Sequence, residues 1–81
     1  MKIVWDEPER MANLANRGFD FADLDAEFFA SARLLPGYEE RFMAIGEFEG
    51  VVVTVIFKPF GREALSVISM RRASRRERQL I

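Results

Sequence analysis

Five arginines crowd into eleven residues late in the chain: Arg71, Arg72, Arg75, Arg76 and Arg78, within MRRASRRERQL from Met70 to Leu80. A guanidinium offers a planar fork of donors that grips phosphate at two points and stacks on bases, which a lysine ammonium cannot do. Set directly after an apolar stretch, Ala64 to Met70, that reads as a strand, the cluster is a candidate phosphate or RNA site. The plainer reading is a solvated face, which is what most charged terminal helices are. Glu77 is the only acid in the run, so pairing inside it cannot cancel five cations. An outside anion, nucleic acid or an acidic protein, is called for.

The cluster is a local feature. Net charge is −1, and eleven of the thirteen acids precede residue 51, so the chain is acidic early and basic late. The chain has no histidine and no cysteine. That excludes imidazole acid/base chemistry, Ser-His-Asp and Cys-His catalysis, disulfides and thiolate zinc sites. No ligand cluster suggests a metal, and neither a metal nor a cofactor is expected. Eighty-one residues suit one domain, 1–81, stabilised by packing: 49% are hydrophobic and eight are phenylalanine. The strongest apolar run, Val51 to Phe57, is too short to span a bilayer. MKIVWDEPER turns acidic too soon for a signal peptide. A cytoplasmic protein with no membrane partner is expected.

The positioning elements follow from period and punctuation. Lys2 to Trp5 reads as a short strand. Asp6-Glu7-Pro8-Glu9 opens a helix with an Asp cap and a first-turn proline; Met11, Leu14 and Ala15 form its apolar face and Gly18 stops it. Asp20 opens a second helix with a core stripe of Phe21, Leu24 and Phe28. Arg33-Leu34-Leu35 is a short strand ending at Pro36-Gly37. Arg41 to Phe48 and Val51 to Phe57 form a hairpin about Glu49-Gly50, and Lys58-Pro59-Phe60-Gly61 turns the chain into the Ala64–Met70 strand. Ser74 and Glu77 make a capping box for a short basic helix. The class is α+β: two N-terminal helices packed on a mainly antiparallel sheet of about four strands, whose other face stays open. Trp5 is expected to pack rather than to stack on a base.

These stretches resemble a known family. KIVWDEPERMANLANRGFDF, EERFMAIGEFEGVVVTVIF and ISMRRASRRER are similar, in that order and over nearly the whole chain, to the BrnT family of bacterial type II toxins. The resemblance implies a compact RelE-like fold, a ribonuclease activity that arrests translation, and a BrnA-like antitoxin that binds the toxin in a hetero-oligomer. DNA would be reached only through the antitoxin. One departure stands out: Asn16-Arg17-Gly18 replaces the family's usual K-H-G, so any work of that histidine is lost and Arg17 keeps only a phosphate contact. The chain also ends at Ile81, soon after the basic segment. Both features point toward weakened activity.

RNA carries its own nucleophile. Its 2′-OH attacks the adjacent phosphorus, leaving a 2′,3′-cyclic phosphate and a 5′-OH, so a metal-independent endoribonuclease needs mainly positioning and charge stabilisation. Matching the family pattern, Glu40, Arg41, Arg71 and Arg72 are the candidate catalytic residues. Glu40 would serve as a carboxylate base, while Arg41 and Arg71, both expected at strand ends, would converge on the scissile phosphate. Arg17, Lys58, Arg62, Arg75, Arg76 and Arg78 would bind neighbouring RNA. Ordinary roles compete: Glu40–Arg41 as a surface ion pair, Arg62 as a solvated loop residue. The alternative is a catalytically weakened member that binds RNA or a partner; a third reading is an obligate subunit needing a mate.

Overall fold

The structure is a computed structural model that describes residues 1–81. Its elements are β1 (Lys2–Trp5), α1 (Glu7–Arg17), a 3-10 turn (Phe21–Asp23), α2 (Ala26–Ser31), β2 (Arg33–Pro36), β3 (Phe42–Phe48), β4 (Val51–Phe60), β5 (Ala64–Arg72) and α3 (Arg75–Arg78). The strands form one mixed sheet in the order β1-β5-β4-β3-β2. β1 runs parallel to β5, and every other neighbour is antiparallel. The α+β class stands, with five strands rather than about four.

Local chemistry explains each element. Val51-Val52-Val53-Thr54-Val55-Ile56-Phe57 is β-branched and aromatic, which suits a pleated, packed surface. Glu49 (φ 48°) and Gly50 (φ 85°) lie in the left-handed region, the geometry of a two-residue type I′ hairpin turn. β4 continues through Pro59 to Phe60, past the β3 partner of Phe57, so proline sits on a margin with a neighbour on one side only. The second expected helix is broken in two. Asp20 accepts from the Ala22 N–H at 2.9 Å and starts the 3-10 turn; Leu24 is extended; Asp25 then accepts from the Phe28 N–H at 2.9 Å and starts α2. Two aspartate caps five residues apart leave no room for one continuous helix.

The core lies on one face of the sheet. Phe21, Leu24, Phe28 and Phe29 pack against Ala44, Val53, Val55, Phe57, Leu65, Val67 and Met70. The Phe29 ring meets Phe28 and Phe57 edge-on at 5.2 and 5.4 Å. α2 approaches β3 so closely that a Cβ on Gly46 would stand 3.2 Å from the Ala32 Cβ.

α1 corrects its expected role. Met11 and Leu14 are 60% and 41% exposed, and the single buried residue of the helix is Asn13. The Asn13 carboxamide accepts from the Met70 N–H at 3.1 Å and donates to the Met70 carbonyl at 2.9 Å and the Phe19 carbonyl at 3.0 Å. β1 ends opposite Val67. Beyond it the asparagine side chain takes the place of the missing strand neighbour, so α1 is held by hydrogen bonds rather than by an apolar stripe. Arg10 adds to this, bonding Glu7 at 2.6 Å and Asp20 at 3.0 Å.

Candidate nucleic-acid site

The sheet face away from the core carries the arginine chemistry, and one irregularity puts it there. Ile56 opposes Ser69 and Phe57 opposes Val67, so Ile68 is an extra residue on β5. Such a bulge flips side-chain parity along its strand. Burial follows the flip: Leu65 and Val67 are in the core, then Met70. In consequence Ser66, Ser69 and Arg71 all face the side away from the helical core. This face, expected to stay open, is covered in part by the C-terminal segment, since Ile45 and Thr54 on it have no exposure. Its uncovered remainder is the open face. Register brings Lys58 beside Ser66, Ile56 beside Ser69 and Thr54 beside Arg71 on that same face. Without the bulge, Ser69 and Arg71 would point into the helices.

Arg71 is held at this face by an anchored carboxylate. Arg71 donates from Nη1 to Glu77 Oε1 at 2.7 Å and from Nη2 to Glu77 Oε2 at 2.9 Å. Glu77 Oε1 also accepts from the Thr54 hydroxyl at 2.9 Å and from the Ser74 N–H at 2.8 Å, and the Ser74 hydroxyl accepts from the Glu77 N–H. The expected capping box is therefore present. Thr54 is fully buried beneath this clasp. The Arg71 guanidinium, helped by the Ser74 N–H and Thr54 hydroxyl, brings the Glu77 carboxyl from the ordinary 4.5 down to about 2. It is ionised at neutral pH and is a hydrogen-bond acceptor, not a proton shuttle.

The expected site residues do not all meet. Arg72 opposes Val53, so it faces the core side, where it lines a crevice with Asp20, Asp23 and Glu49. Neighbours in sequence, Arg71 and Arg72 lie on opposite faces of the sheet. Arg41 and Arg71 do not converge either. Arg71 stands in a row with Thr54 and Ile45 in the middle of β3 and β4, whereas Arg41 precedes Phe42, the first residue of β3, beyond the end of the β3–β4 pairing. Glu40 sits with Arg41 in the exposed β2–β3 turn, itself at φ 63°. Lys58 is on the open face; Arg62 lies in the β4–β5 turn, beside Lys2 and Met1. Arg17 ends α1 and lines a shallow crevice with Asn13, Asn16 and Ile68. Arg75 and Arg76 are exposed on α3, whereas Arg78 is spent on the Ala73 carbonyl at 3.0 Å. Thr54, Ser66 and Ser69 were not singled out from sequence. Only Thr54 left a trace there, as the one polar residue in the Val51–Phe57 run.

Geometrically this is a small α+β protein with one sheet face that sets Arg71, Lys58, Ser66 and Ser69 among apolar residues such as Met43 and Ile56, groups that can hold a phosphodiester backbone. Comparison with known proteins gives that class a family. The family described as "Ribonuclease toxin, BrnT, of type II toxin-antitoxin system" matches residues 5–77. Among solved structures, the crystal structure of the Brucella abortus ribonuclease toxin, BrnT, is 62% identical, with a TM-score of 0.87 over 93% of this chain and 99% of that one. No curated protein matches. The chain belongs to the BrnT family of type II toxin–antitoxin ribonuclease toxins. No helix is long and apolar enough to cross a membrane.

Proposed function

We propose that this chain acts on RNA at the open sheet face centred on Arg71. The observation that carries the reading is the Ile68 bulge, which turns Ser69 and Arg71 onto the face away from the helical core, beside α3 and on the same side as Ser66 and Lys58. Arg71 takes the scissile phosphate, with its charge on the non-bridging oxygens as they gain negative charge in the transition state. Ser66, Ser69 and Lys58 hold the adjoining backbone, and Arg75 and Arg76 the phosphates beyond α3. The 2′-OH attacks phosphorus, the 5′-oxygen leaves, and a 2′,3′-cyclic phosphate remains.

The register leaves Glu40 and Arg41 at the far end of β3, so they serve flanking RNA rather than the reacting phosphate. Arg17, Arg62 and Arg72 likewise belong to outlying contacts. With no carboxylate free beside Arg71 to carry protons, turnover depends on orientation and charge and is slow on free RNA.

As a type II toxin the chain has a cognate antitoxin as partner, here of the BrnA type, in a hetero-oligomer formed in the cytoplasm; DNA is met only through that partner. One domain, 1–81, with a RelE-like fold is the matching architectural reading. Tightly induced expression of the chain alone tests the function: growth arrest, relieved by co-expression of the small protein encoded beside it, is expected. Unimpaired growth with soluble, folded toxin would favour the weakened, RNA-binding reading.

A further inference from the structure

Resting on the reading of Arg71 as the phosphate-binding group, we infer that Glu77 is a positioning residue for RNA cleavage, fixing the Arg71 guanidinium rather than merely capping α3. The clasp contains more than a cap requires. A capping box needs only the Glu77 carboxylate on the Ser74 N–H and the Ser74 hydroxyl on the Glu77 N–H. Glu77 also takes both terminal nitrogens of Arg71 and is itself pinned to the middle of β4 by the buried Thr54 hydroxyl. Position thus passes from the sheet, through Thr54 and Glu77, to the guanidinium.

The arrangement has a chemical consequence. A surface arginine samples many rotamers, and each phosphate contact it makes must then freeze them. Here the freezing occurs on folding. Glu77 takes the end of the guanidinium and makes no bond with its Nε, so the side formed by Nε and one Nη hydrogen is left to a phosphate. Glu77 is also the only acid after Glu63, among four further arginines that would otherwise repel Arg71.

The bonds divide in a way that permits a clean test. Thr54, Ser74 and Arg71 Nη1 all converge on Oε1, while Oε2 meets Arg71 Nη2 alone. In Glu77→Gln the amide oxygen can keep the three Oε1 bonds, and the amide nitrogen replaces only the acceptor that Nη2 uses. The helix cap and the sheet anchor survive; the two-point hold on Arg71 does not.

The experiment measures single-turnover cleavage of a fluorescein-labelled single-stranded oligoribonucleotide, and binding of its uncleavable 2′-O-methyl counterpart. Purified parent, Glu77→Gln, Arg71→Lys and the double variant are compared, with folding checked by circular dichroism. Glu77→Gln should slow the chemical step by roughly tenfold to a hundredfold while binding stays unchanged or tightens, because a negative charge has been removed. In the Arg71→Lys background, where no two-point hold exists, the same substitution should slow nothing further. Folded Glu77→Gln that cleaves at the parental rate, or that loses as much rate on the lysine background, would overturn the inference while leaving the proposed function intact. A parent that cleaves no RNA overturns the proposed function, and the inference with it.

Discussion

Ser66 and Ser69 stand three residues apart on β5 yet face the same side of the sheet, because Ile68 is accommodated between them as a bulge. The same irregularity separates Arg71 from Arg72. Replacing each by alanine should therefore give unequal results. Arg71→Ala should lower RNA cleavage by about 10²–10³-fold, the usual loss for one charge-stabilising donor. Arg72→Ala, beside acids on the other face, should leave most activity. Initial rates on one oligoribonucleotide compare them directly; equal losses would argue against a site confined to the open face.

Asn13 does for β5 what another strand would do. Asn13→Leu removes partners from the N–H and carbonyl of Met70, a residue with no exposure. Each unpaired buried group costs about 1–3 kcal/mol, so urea unfolding should show a loss of about 2–6 kcal/mol. A loss below ~1 kcal/mol would mean that water replaces the carboxamide.

Gly46 lets α2 lie on β3. Adding a methyl there meets Ala32 and Phe28 at 3.2–3.3 Å, partly against backbone. Gly46→Ala should cost about 1–3 kcal/mol by overpacking, read as a lower thermal midpoint.

Glu77 ties stability to acid pH. Its folded value, about 2, lies below the ordinary 4.5, so its contribution is complete above pH 4.5 and is lost as pH falls toward 2. Glu7, also lowered to about 2 by Arg10 and Trp5, has the same sign. The difference between parent and Glu77→Gln isolates Glu77: their stabilities should converge as pH drops from 4.5 to 2. A constant gap across that window would contradict the ion pair.

Much of this was legible in the sequence. The β-branched run, the Glu49-Gly50 turn, the Ser74–Glu77 capping box and the arginine cluster each act within a few residues, and the structure contains them all. Features made between distant segments were hidden. Met11 and Leu14 recur at helical spacing, yet α1 is held through Asn13, whose partner lies 57 residues away. Strand parity sets Ser66 and Ser69 on opposite faces unless a bulge intervenes, and nothing in LSVISMRR announces one. The convergence of Arg41 and Arg71 failed for a related reason: Arg41 lies just before β3 and Arg71 near the end of β5, toward opposite ends of the antiparallel sheet.

RNA binding should be strongly salt-dependent, since the free cations Arg75, Arg76 and Lys58 would displace counterions from phosphates. Arg75→Ala/Arg76→Ala should flatten the slope of log Kd against log salt by about 1.4, at ~0.7 per single-strand phosphate contact. An unchanged slope would remove α3 from the RNA surface.

The most direct measurement is product analysis after incubating purified protein, parent or Arg71→Ala, with a defined single-stranded oligoribonucleotide in EDTA. The parent should release fragments ending in 2′,3′-cyclic phosphate and 5′-OH, and Arg71→Ala, equally folded, should release few or none. Intact RNA with the folded parent, or undiminished cleavage by Arg71→Ala, would contradict the account of the open face as a ribonuclease site.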